Sequence, residues 1–239
     1  MIERAAARMH EDWQSELDRL VASWDQIAAE QRTELVDQVR EAAANNDVQA
    51  LTELVVSTDK AADLLTAYMV SMAMIGANEV VMEASEQGEE VDPAVPSESD
   101  LGALALIVVT LLAAGLALVV GREALRLLTP ESSPDEIARQ IDEYLRSLSD
   151  RALRDQLGGA LTNARNKARF ATMLRARSAA WYASERNDPH GCDPCRNIDD
   201  YRFDSLAEAF LAYPNGGYRD CLGGVRCRGG VIPIWEREG

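Results

Sequence analysis

The chain has 239 residues, 47% of them hydrophobic, and a formal net charge of −16. That is enough chain for one good-sized domain or two small ones, and enough apolar side chain to build a core without help. The opening MIERAAARMHEDWQSELDRL is charged throughout and lacks an apolar run, which argues against a cleavable signal and predicts a cytosolic start.

The charge is unevenly spread. Residues 1–100 hold 22 acids against 6 bases, whereas 101–239 hold 18 of each. Within the second part, 151–186 carry eight bases (Arg151, Arg154, Arg165, Lys167, Arg169, Arg175, Arg177 and Arg186) against Asp155 and Glu185. A basic segment set against an acidic one predicts either mutual contact or separate partners.

In chain order, residues 1–85 read as an acidic helical region. Trp13, Leu17, Leu20, Trp24 and Ile27 recur at 4-3-4-3 spacing, the seam of a helix that packs lengthwise on another, and Leu35, Val36 and Val39 continue it. The seam suits packing within one bundle; a homo-oligomer through helices is the alternative. NND at 45–47 predicts a break, with Asp47 as the N-cap of a second helix and an interruption near Ser57 and Thr58. Residues 86–100, EQGEEVDPAVPSESD, read as an exposed linker.

Residues 101–186 read as an apolar helix followed by basic helices. LGALALIVVTLLAAGLALVV (101–120) has no charge over 20 positions, which leaves two readings open: a helix buried at the centre of the bundle, or a membrane-inserting segment. Ser133, Pro134 and Glu136 mark a capped helix start. LGG at 157–159 predicts a break or bend, and helix is expected from Ala160 to about Ser184.

From residue 187 the periodicity changes. DYRF and VIPIW read as short strands, with a small helix between them capped by Ser205 and Glu208. The fold class is therefore mainly α: an elongated helical bundle with a small C-terminal α+β cysteine-containing module at 187–239.

All four cysteines lie in that module. Cys192 and Cys195 form a CxxC on an Asp-Pro turn, and Cys221 and Cys227 flank a Gly-rich turn. Two such pairs can aim four thiolates at one structural zinc, with His190 as a substitute ligand. Disulfides are a second reading. A redox or nucleophilic site is a third, against which stand the lack of a βαβ frame after the CxxC and the presence of only His10 and His190 as bases.

The stretch WYASERNDPHGCDPCRNIDDYRFDSLAEAFLAYPNGGYRDCLGGVRCRG (181–229) resembles the C-terminal module of MuF-like minor head proteins, or head morphogenesis proteins, of tailed bacteriophages, particularly those of actinobacterial hosts. The shared pattern runs through the CxxC, Ile198, Asp199 and Phe203, then Tyr213, Pro214, Gly216, Gly217, Tyr218 and Cys221, and closes on Arg226, Cys227, Arg228 and Gly229. Asp200 stands where the pattern has glycine, a substitution that permits a left-handed turn less freely.

The resemblance covers about a fifth of the chain. It implies a structural virion protein and not an enzyme, with no catalytic residues to carry over. Such a protein is located inside the phage head, after assembly in the host cytoplasm, and associates with the portal protein in head assembly, DNA packaging or DNA ejection. On that view Arg165, Lys167, Arg169, Arg175 and Arg177 are the candidate contacts to packaged DNA or portal, unless the basic face is solvated or paired with the acidic front. Two other functions stay open: a virion protein whose segment 101–120 meets the membrane at ejection, and a cysteine-based redox enzyme.

Overall fold

A computed structural model of the chain describes residues 2–176, 180–185, 191–214 and 216–235, with side chains from residue 11 onward. Helix α1 (Ile2–Ala44) is followed by α2 (Val48–Thr52), α3 (Asp59–Glu86), α4 (Glu98–Leu127), α5 (Pro134–Ser147) and α6 (Arg151–Met173). The C-terminal part holds β1 (Ala180–Ser184), α7 (Asp193–Ile198), β2 (Arg202–Phe203), α8 (Leu206–Ala212) and β3 (Gly230–Ile234). The mainly α class with a small α+β module at the C-terminus holds.

The seam of α1 is internal. Trp13, Leu17, Leu20 and Trp24 are buried against Leu65, Met69 and Met72 of α3, Leu101 and Val109 of α4, and Leu157 and Leu161 of α6. Farther along, Leu35 and Val39 pack with Leu51, Val120, Ile137 and Ile141. At 1.5 Å per residue the 43 residues of α1 run roughly 65 Å, long enough to serve both clusters.

The breaks fall where the local chemistry places them. Asn46 takes a left-handed φ of 51° after α1, and Asp47 accepts a hydrogen bond from Ala50 N at 3.0 Å to start α2. The interruption around Ser57 separates α2 from α3. Ser133 and Ser205 cap α5 and α8 by accepting from Glu136 N at 3.2 Å and Glu208 N at 3.1 Å.

Three expectations are corrected. LGG at 157–159 neither breaks nor bends a helix, since α6 runs through it. These glycines permit close approach: a Cβ on Gly158 would lie 2.7 Å from the Trp13 ring, and one on Gly159 would lie 2.9 Å from Val225 Cβ. Trp13 Nε1 donates to the Gly158 carbonyl at 3.1 Å in the same contact. The basic helix ends at Met173, and the following AWYAS is strand β1, because its β-branched and aromatic partners in β2 and β3 supply a sheet that periodicity alone does not reveal.

The connection 86–100 is mostly exposed, as expected of a linker, and is pinned at its buried residues Gln87 and Ala94: Ala94 N donates to Thr172 Oγ1 at 3.0 Å, and Thr172 returns a bond to the Ala94 carbonyl. Gln87 is buried and bridges to the last strand, giving a bond to Pro233 O and accepting one from Trp235 N at 2.9 Å. Third, α4 is not a centrally buried helix. It is long and apolar enough to cross a membrane by length and composition, but only 22% of its most apolar window is buried, against 44% for α3.

The sheet has the order β2-β1-β3, antiparallel throughout. It does not form a separate core. Ala183, Phe203, Tyr213, Val231 and Trp235 pack with Val80 and Ala84 of α3 and Phe170 and Met173 of α6.

Candidate metal centre

The four cysteines are free thiols and converge from two loops. Cys192 is the residue before α7, with Pro194 in the first turn, and Cys195 lies inside that turn. Cys221 and Cys227 flank the short 3₁₀ turn Gly224–Arg226. Cys192, Cys195 and Cys221 form one group whose sulfurs lie within 4.8 Å of one another, and Cys195, Cys227 and Glu185 form a second, joined at Cys195. This cluster can hold a metal ion.

One edge of the cluster has the length a tetrahedral thiolate site needs, while Cys227 joins the other sulfurs only through the second group. A Zn–S bond of about 2.3 Å sets sulfur–sulfur edges of about 3.8 Å, and Cys192 Sγ to Cys221 Sγ is 3.8 Å. Backbone N–H groups aim at the sulfurs, from Tyr218 to Cys227 Sγ at 3.2 Å and from Gly223 to Cys221 Sγ at 3.3 Å. Such donors suit thiolate ligands, whose charge they help to carry. His190, the substitute ligand, lies outside the described residues.

Glu185 is the member that sequence reasoning missed. It follows β1 and is 8% exposed; Tyr213 Oη donates to its Oε1 at 2.7 Å, and Cys227 Sγ lies 3.8 Å from its Oε2. Burial pushes its carboxyl above the ordinary range, against the hydrogen bonds from Tyr213 and Cys195. The available signal was strand register. Ser184 pairs with Gly230, so Glu185 comes opposite Gly229, where any Cβ would overlap its carboxylate.

The thiols differ in character. Burial, with the nearby Glu185 charge, pushes Cys227 up to about 12 and Cys195 up as well. Burial also opposes the Cys192 thiolate, but backbone N–H groups of Cys195 and Leu222 and the neighbouring thiols bring it down to about 7. The CxxC does straddle the start of a helix after a strand, contrary to the turn and strand-like segment expected from sequence. The frame is nonetheless antiparallel, because β1 pairs antiparallel with β2 and β3 and no parallel crossover forms among the described residues.

No family model, curated protein or solved structure matches the chain. What the residues of the cysteine pattern do is therefore read from their contacts. Gly216, at φ 89°, lies against the backbone of Thr162 and Asn163, so α6 leaves no room for a side chain there. Asn166 Nδ2 donates to the carbonyls of both Gly216 and Gly229, the latter at 3.1 Å. The Arg228 guanidinium stacks over the Trp13 ring at 4.1 Å. Glycines and arginine of the pattern thus fasten the cysteine loops to α6 and α1.

The proposed basic contacts are dispersed. Arg165 and Arg169 are 2% and 0% exposed, which removes both from any DNA or portal surface. Arg169 instead binds Glu79 and Glu83 of α3 at 2.8 Å each and donates to Val231 O at 2.8 Å. Burial opposes its charge, and the two carboxylates outweigh that and raise its pKa. Lys167 is half-buried, and Arg175 is exposed with Nη1 donating to Pro93 O at 3.3 Å. Arg177 lies outside the described residues. With Arg154 paired to Asp18, the basic segment meets the acidic front of its own chain.

Proposed function

We propose that the protein is a structural minor head protein of a tailed bacteriophage, seated at the portal vertex in head assembly, DNA packaging or ejection, with zinc as the structural staple of its C-terminal module. One observation carries this: the residues shared with the MuF-like pattern form a donor cluster and the fastenings around it, with Gly216, Gly229 and Arg228 docked on the helical body. A module held to a long bundle by such contacts suits a rigid assembly part. Portal protein is the favoured partner over packaged DNA, since Arg165 and Arg169 are buried, Arg169 is paired with Glu79 and Glu83, and the chain is acidic overall.

Co-expression with the portal protein encoded in the same genome tests the proposal. A portal complex that survives purification, together with the chain in mature particles by mass spectrometry, is the expected result. A chain absent from particles and indifferent to portal would overturn it.

A second reading, thiol redox chemistry, is favoured by the partly exposed Cys192, brought down to about 7 and lying 3.8 Å from Cys221. Selective alkylation of Cys192 in the folded, zinc-loaded protein would support it. Uniform protection of the thiols would support the staple.

A further inference from the structure

Helix α4 leaves one face uncovered. Leu101, Ala105, Val109, Ala113, Val120 and Ala124 point into the bundle. Among the described residues nothing covers Leu106, Ile107, Leu111, Leu118 and Val119, which are 48, 57, 69, 55 and 37% exposed. At about 100° per residue Ile107, Leu111 and Leu118 fall on one strip of the helix, with Leu106 and Val119 on its two flanks, and no charged residue interrupts the sequence between Asp100 and Arg122.

We propose that a second copy of this chain covers the strip, with α4 packed antiparallel on α4 about a twofold axis at Leu111. Charge complementarity at the ends of the strip chooses this occupant. The helix begins with Glu98 and Asp100 and closes with Arg122 and Arg126, of which Arg126 is held by Glu123. Antiparallel pairing centred on Leu111 sets each residue opposite the one equally far on the other side, so Asp100 meets Arg122 twice in one dimer. A twofold interface must be self-complementary in this way.

Shape agrees with charge. The same pairing sets Ile107 against Gly115 and Ala103 against Val119, large against small, and brings the two copies of Leu111, the most exposed of the five, together at the axis.

A bilayer fits less well. The inner face of α4 is locked, since a Cβ on Gly121 would overlap the Leu51 carbonyl, and a chain of net charge −16 is repelled by anionic lipid. The dimer does not depend on the phage assignment.

Sedimentation equilibrium of the full chain tests the proposal. A monomer–dimer equilibrium is expected, with Leu111→Glu raising the dimer Kd at least about tenfold by opposing two carboxylates at the axis, and with far-UV circular dichroism unchanged. Arg122→Asp is expected to weaken the dimer, and Asp100→Arg added to it to restore association. A chain that stays monomeric at its highest workable concentration overturns the proposal, as does a dimer indifferent to Leu111→Glu. A monomer that floats with neutral phosphatidylcholine vesicles, and loses that binding in Leu111→Glu, assigns the strip to lipid instead.

Discussion

Asp200 sits at φ 62°, in the left-handed region where a side chain is unfavourable, with its N–H bonded to Ala183 O at 3.0 Å. The backbone bond fixes this turn, so Asp200→Gly is expected to stabilise the protein by up to about 1 kcal/mol in chemical denaturation. A loss of stability would mean that the aspartate side chain does something the backbone geometry does not explain. Arg169 is the opposite case. Replacing it by methionine leaves Glu79 and Glu83 buried without their cation and Val231 O without its donor, at an expected cost of about 3–5 kcal/mol. Lys167→Ala, two residues away and half-buried, is expected to change stability by less than about 0.5 kcal/mol. Equal effects from the two would contradict the buried network.

At the scale of elements, α6 shows why a helix can run through Gly158 and Gly159. Helix propensity alone makes Gly158→Ala stabilising by about 1 kcal/mol. A Cβ there lies 2.7 Å from the Trp13 ring and 2.8 Å from Arg228 Nη2, so the substitution is expected instead to destabilise by roughly 1–3 kcal/mol, read as a lower denaturation midpoint. Helix α5 carries a pH response. Hydrogen bonds from Arg139 and then Gln140 hold the Glu136 carboxyl down to about 2, below its ordinary 4.5. A folded-state pKa below the unfolded one stabilises above about 4.5, and the gain is lost as pH falls toward 2. An NMR titration of Glu136 is expected to show a midpoint near 2 that rises toward 4.5 in Arg139→Ala; an unmoved midpoint would exclude the pairing as its cause.

For the whole molecule, the cysteine cluster and the body are coupled. Sheet, α8 and the ends of α3 and α6 share one core, and Gln87, Asn166, Arg169 and Arg228 cross between body and module. Protein purified under reducing conditions is expected to hold about one zinc per chain. Chelation is expected to lower the melting temperature of the entire chain, because the module has no core of its own to lose separately. Cys195→Ser, at the junction of the two donor groups, is expected to lose metal more completely than Cys227→Ser. Equal retention by both variants would displace Cys195 from that role.

Much of this protein was legible one segment at a time. The seam from Trp13 to Trp24, the breaks at Asp47 and Ser57, the caps at Ser133 and Ser205, the short strands and the convergence of four cysteines all depend on near neighbours in the chain, and local pattern reports them faithfully. Glu185, the destination of Arg165 and Arg169, the purpose of LGG and the half-exposed state of α4 were not legible. Each depends on what lies across a contact: Gly229 across a strand pair, Glu79 and Glu83 across a helix pair, Trp13 against a glycine, and the absence of a described neighbour over Leu111. The sequence by itself determined most helices, their caps and the region where the thiols gather, because those follow from spacing and backbone preference, while strand β1 and the unbroken α6 do not. Only the tertiary structure decided which charges are internal, which glycines are contacts and which apolar face is left over, because burial belongs to pairs of surfaces and not to either one alone.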